Sequence, residues 1–143
     1  MKRSFTAAEG LAATGVDRDW LGRVLTRVDP SEVPVREAPR WFRALWARGI
    51  VGVAMPWAVY MTPAMMDRYE AAAEPRRLGR LLVHELAHIE QFRRLGAIRH
   101  IGRYVFDYVR GRLQRKGHWV AYKSVRLEIE ARGVAALVME GPL

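Results

Sequence analysis

His84, Glu85 and His88, in the run His84-Glu85-Leu86-Ala87-His88, could together do chemistry on a metal ion. On a helix, residues four apart lie one above the other on the same face, so both imidazoles can reach one tetrahedral ion at ~2.0 to 2.1 Å each. Glu85 is turned by about 100° from His84, which keeps its carboxylate out of the ligand set. It is still close enough to hydrogen-bond a metal-bound water and take its proton, the place of a general base. A chain of this length and ordinary composition contains the pattern by chance about once in a few hundred. The surroundings sharpen the reading, because Leu81, Leu82, Val83, Leu86, Ala87 and Ile89 make the helix apolar on nearly every face. Two histidines and a glutamate buried there are either ordinary core residues with separate partners or share one that satisfies all three, and a metal does the latter most simply. The chain has no cysteine, so any metal is held by His, Asp or Glu.

A catalytic zinc keeps three protein ligands and an open fourth position. A third histidine six residues beyond the second would demand glycine at position 91 and histidine at 94, where the chain has Gln91 and Arg94. The carboxylates after the motif are Glu90, Asp107, Glu128, Glu130 and Glu140, and Glu90 lies on the wrong side of its own helix. Glu128 has Ser124, Val125, Ala131 and Arg132 as helical neighbours, with Ala121 and Ala135 along the same face, and small side chains let two helices approach closely. Glu130 neighbours Arg126 and has an alternative role as an exposed ion pair. The spacing favours Glu128, keeps Glu130 as the alternative and leaves Asp107 behind both. Gln91, seven residues after His84, either lines a substrate cleft or ends the helix in solvent. His118 and Tyr122, one or two turns before Glu128, could polarise a substrate carbonyl or steady an oxyanion, or serve as a helix end and a core tyrosine. Tyr104, Phe106 and Tyr108 read as packing residues.

These side chains need elements to position them. Leu78, Leu81, Leu82, Leu86 and Ile89 recur at helical spacing over 76–95, and Gly96 supplies the stop. Residues 50–54 and 58–61 flank Met55-Pro56-Trp57 and predict a β-hairpin, while Thr62-Pro63 predicts a capped helix over 64–73. A basic amphipathic helix is expected at 97–114, with Ile98, Ile101, Val105 and Tyr108 on one face, and a last helix at 119–139. The fold class is α+β and mainly helical: a small hairpin or sheet packed on the motif helix and on a C-terminal helix that carries the third ligand.

At 143 residues, half of them hydrophobic, the chain makes one domain with a real core. Residues 1–40, with a helix expected at 17–28 and prolines at 30, 34 and 39, read as a variable, partly disordered segment ahead of a single domain at 41–143. The start lacks the apolar run of a secretory signal, so a cytoplasmic location is expected. The longest apolar stretch, 50–66, is shorter than ~20 residues and contains Pro56 and Pro63, which argues against a membrane span. The net charge is +9, and residues 76–143 hold 14 basic against 6 acidic side chains. Ten of those basic residues fall in 93–126, a region suited to an anionic partner. Against that stands the excess of arginine, 21 of 24 basic residues, which genomic composition can produce without any ligand.

The run RLGRLLVHELAHIEQ at 77–91, preceded by an apolar hairpin and a short helix, resembles the zinc-metallopeptidase domain found in core proteins of extracellular contractile injection systems and in many short bacterial proteins. The later Glu128-Ile-Glu-Ala131 is similar to the Glu-x-x-x-Asp element of gluzincin peptidases, whose first Glu is the third ligand. The resemblance covers about residues 50–138. It implies a minimal zincin-like domain with one Zn2+ per chain, His84, His88 and Glu128 as ligands, Glu85 as base, and a peptide or protein substrate. One departure matters: the closing Asp is Arg132 here, so a hydrogen bond from that Asp to a histidine must come from elsewhere or be missing. Substrate would add as a strand at the edge of 58–61. The competing function is a non-catalytic module in which zinc is structural and the 93–126 region docks on nucleic acid or an anionic membrane.

Overall fold

The computed structural model describes residues 3–142. Four short strands form one mixed sheet: β1 (Ser4–Thr6), β2 (Pro34–Glu37), β3 (Gly52–Met55) and β4 (Ala58–Met61), in the order β1-β2-β4-β3. The expected hairpin is present, antiparallel, with Gly52 opposite Met61 and Met55 opposite Ala58. β2 runs parallel to β4, and β1 antiparallel to β2. The 58–61 strand therefore has no free edge, because β2 and β3 occupy its two sides, and the expectation of substrate addition there is corrected. The open edge on that side of the sheet is β3.

The helices are α1 (Ala7–Leu11), α2 (Arg18–Val24), α3 (Arg40–Arg43), α4 (Pro63–Ala71), α5 (Pro75–Leu95), α6 (Ala97–Leu113), α7 (His118–Ser124) and α8 (Arg126–Glu140). α4 opens as expected: the Thr62 hydroxyl accepts from the Met65 N–H at 3.3 Å, and Pro63 takes the first helical position, where a missing N–H is harmless. α5 ends at Gly96, whose φ of +83° suits glycine and turns the chain directly into α6.

The single helix expected at 119–139 is instead two, broken at Val125, where ψ is 125°. Asp107 of α6 makes the break stable. Its carboxylate accepts from the backbone N–H of Arg126 at 3.1 Å and from the Arg126 guanidinium at 3.0 Å, capping α8 from a different helix. A cap borrowed from nineteen residues away leaves no local signal.

The boundary expected at residue 40 has no counterpart in the structure. Thr6 and Glu9 form a capping box at the start of α1, and β1 and β2 are half of the sheet. Leu11, Leu21, Val33 and Val35 are buried in the same core as Met61, Leu82 and Leu86. Strands of three and four residues are too short to display alternation, and their partners are distant in sequence, so this segment read as irregular.

α5 runs through the core. Leu82, Val83, Leu86 and Ile89 have no exposed surface, and each such side chain stabilises the fold by about 1.5–3 kcal/mol. α8 lies against α5 and buries Leu127, Ala131, Ala135 and Val138. The two helices that carry the candidate ligands are thus held on a close-packed support. Among the described residues, no helix is long and apolar enough to cross a membrane.

Candidate metal centre

His84 and His88 project from one face of α5, and Glu128 reaches them from the first turn of α8. Glu128 Oε2 lies 3.0 Å from His84 Nε2, Glu128 Oε1 lies 2.9 Å from His88 Nε2, and the two Nε2 atoms are 3.2 Å apart. One ligating atom from each residue falls within 4.8 Å of the others. A tetrahedral ion with ligands at ~2.0–2.1 Å has ligand atoms about 3.3 Å apart, close to the separation of the two imidazole nitrogens, while the two oxygens of Glu128 each face one histidine. The three residues could hold a metal ion.

Burial alone would raise the Glu128 carboxyl and lower the His88 imidazole, but their mutual attraction outweighs it. Hydrogen bonds from both histidines hold Glu128 ionised far below the usual carboxylate range. The Glu128 and Glu85 charges lift His88 to about 9.

Gln91 orients this arrangement and is itself only 1% exposed. Its Nε2 donates to the Leu127 carbonyl at 2.9 Å, and a carbonyl can only accept, so the amide has one possible orientation. Gln91 Oε1 must then accept, from His88 Nδ1–H at 2.9 Å and from His100 Nε2–H at 3.1 Å. That fixes the His88 tautomer with Nδ1 protonated, leaving Nε2 as the ligating nitrogen. The hydrogen bond missing because of Arg132 is therefore supplied to His88 from α5 itself. Arg132 turns away and donates to the Lys123 carbonyl at the end of α7. On the other side, Tyr104 donates its hydroxyl to Glu128 Oε1 at 3.0 Å. Burial and the Glu128 charge push the Tyr104 and Tyr122 phenols well above their ordinary value, so both stay protonated. Burial and the nearby His88 lower His100 to about 4, which keeps it neutral at pH 7.

Glu85, His88 and Glu128 line a cavity of about 510 Å³ whose other walls include Trp46, Val53, Phe92, Tyr104 and Tyr122. Glu85 is buried, and burial raises its pKa while the two histidines pull it back. Its carboxylate lies against β3, with Oε1 3.6 Å from where a Cβ on Gly52 would stand, so the general-base candidate sits between the motif helix and the edge strand of the sheet.

Neither a scan of the chain against protein-family models nor searches of curated proteins and of solved structures finds a match.

The remaining candidates separate cleanly. Glu130 is not part of the ligand group: it pairs with Arg94 at 2.8 Å and accepts from the Gln91 amide at 3.4 Å, not from the Arg126 expected from sequence, which belongs to Asp107. Asp107 caps α8 and takes no part in the site. Glu90 accepts from the Arg27 backbone N–H at 2.8 Å, on the opposite side of α5 as expected. Gln91 neither lines a cleft nor ends in solvent. His118 and Tyr122 both lie on the cavity wall, and His118 Nδ1 is hydrogen-bonded to the Tyr108 hydroxyl at 2.9 Å. Phe106, expected to pack, is 61% exposed. Sequence reasoning missed Tyr104 and His100; a signal was present, since both lie on the same face of α6, four residues apart.

Proposed function

We propose that this protein is a small zinc-dependent peptidase. The observation that carries the reading is the convergence of His84, His88 and Glu128 from two helices, with His88 and Glu128 on the wall of a cavity that a buried carboxylate, Glu85, also lines. Three protein ligands beside open space suit a catalytic site better than a closed structural one, which would need a fourth ligand. When bound, zinc supplies a Lewis acid that polarises a carbonyl and acidifies water. Glu85 takes the proton of the attacking water and returns it to the leaving amine, a role favoured by its raised pKa. Tyr122 stays protonated on the cavity wall and can donate to the developing oxyanion. An extended peptide would add to the β3 edge and lay its side chains in the largely apolar cavity.

Glu85→Gln tests the reading, because the amide preserves shape and cannot accept the proton. The variant should keep one zinc per chain by elemental analysis, keep its circular dichroism spectrum, and lose cleavage of a peptide library that the wild type cleaves. Zinc-loaded wild-type protein that cleaves no peptide, or a Glu85→Gln variant as active as the wild type, would overturn it.

A further inference from the structure

α6 presents to solvent the face that an amphipathic helix usually buries. With residues every 100° around the axis, Ile98, Ile101, Val105, Phe106, Val109 and Leu113 span an arc of about 140°. All six are exposed, from 45% at Val109 to 88% at Ile98, whereas the buried side of the helix carries His100, Asp107 and Gly111. Arg99, Arg103 and Arg110 fill the next ~60° of the wheel, and exposed Arg112, in the last turn, falls between Ile101 and Val105 within the arc, where its long side chain can reach up to headgroups. From 93 to 126 the chain has ten Lys or Arg and one acidic residue, Asp107, which is buried and bonded to Arg126.

We infer that α6 docks on an anionic lipid membrane, lying in the interface with its apolar arc in the acyl boundary and its arginine flank on the headgroups. Charge complementarity selects the occupant. A second copy would bring another arginine flank to the same seam, and α6 offers it no free carboxylate. Nucleic acid would satisfy the arginines but leave six apolar side chains against phosphate, unlike the polar interfaces that bind it. An interfacial helix is recognised by this combination of an apolar arc and a basic flank. Ile101 and Val105 belong to the arc and also line the cavity beside the histidines, so the docked protein would hold that cavity at the lipid surface. The inference stands without the metal centre.

Flotation of the full-length chain with vesicles tests it. Binding to equal parts phosphatidylglycerol and phosphatidylcholine should exceed binding to phosphatidylcholine alone at least tenfold and should weaken with salt. Phe106→Ser with Leu113→Ser should cost at least tenfold, with the melting temperature preserved, since both residues are exposed. Arg103→Glu should cost about fivefold or more. The chain has no cysteine, so Ile98→Cys gives one labelling position, and an environment-sensitive fluorophore there should shift to the blue on vesicle addition. Absent flotation of the wild type, equal binding to neutral vesicles, or an unshifted fluorophore overturns the inference. So does a concentration-dependent dimer that Phe106→Ser with Leu113→Ser abolishes while vesicles bind neither protein. Binding to duplex DNA that strips the protein from vesicles and survives that double change also overturns it.

Discussion

Replacing Gln91 by leucine keeps the size of the side chain and removes all its polar atoms, in a place where the wild-type residue is 1% exposed. Three partners are then stranded: His88 Nδ1–H, His100 Nε2–H and the Leu127 carbonyl. A buried polar group left without a partner costs about 1–3 kcal/mol, so the three together cost about 3–6 kcal/mol, because shared partners are not fully additive. For a chain of this length that corresponds to a fall in melting temperature of about 10–20 °C, measured after chelation so that metal does not contribute. Zinc affinity in a competition titration should fall about 10- to 100-fold, because the His88 ring loses the bond that holds its tautomer and direction. Gln91→Glu separates the two effects. Its carboxylate still accepts from both imidazoles but loses the donor to Leu127 and the long contact to Glu130 Oε1 at 3.4 Å, so it should lose at least about 1–3 kcal/mol of stability while zinc affinity is largely kept. If Gln91→Leu binds zinc within about twofold of the wild type, the reasoning that Gln91 positions His88 is refuted.

Glu128→Ala should weaken zinc binding at least tenfold, the least expected of a lost ligand, whereas Glu130→Ala should change it little, because Glu130 faces Arg94; reversed effects in the same titration would put the ligand on the wrong face of α8. The chelated protein should lose stability as pH rises from 6.5 to 9. His88 has a folded-state pKa of about 9 against 6.5 unfolded, so its contribution is fully present below 6.5 and lost as pH passes through 9, a change of about 3 kcal/mol in urea unfolding. Glu85, raised by burial, acts in the same direction, while His100, lowered to about 4, adds stability mainly between pH 4 and 6.5 and opposes the loss by only a few tenths of a kcal/mol above that. Zinc must displace the His88 proton, so its affinity should rise about tenfold per pH unit between 7 and 9; a flat profile would contradict the protonated pair.

Much of the fold was legible because its causes are local. Thr62-Pro63 opened α4 where a hydroxyl cap and a first-turn proline predict, Gly96 ended α5, and the hairpin turned at Pro56-Trp57. The parts that were not legible depend on groups far apart in sequence. β1 and β2 exist because they pair with each other and with β4, and the break at Val125 exists because Asp107 caps it from α6. The exposed apolar arc of α6 was visible as a period, but a period does not say which face meets the core. Here a buried histidine, aspartate and glycine face inward.

The sequence by itself determined the two histidines and the glutamate between them, because one turn of helix puts residues four apart on one face whatever surrounds it. It also ranked Glu128 ahead of Glu130, since the small neighbours of Glu128 are a property of the same helix. Only the tertiary structure decided what holds those groups: the Gln91 amide between His88, His100 and Leu127, the Tyr104 hydroxyl on Glu128, and strand β3 against Glu85. The physical reason is that an amide or a phenol reads the same in a sequence whether it faces solvent or a buried imidazole. Its role is set by the element that crosses its helix, and the α5–α8 contact is formed by burial of Leu82, Leu86 and Ala131 rather than by anything adjacent to the motif.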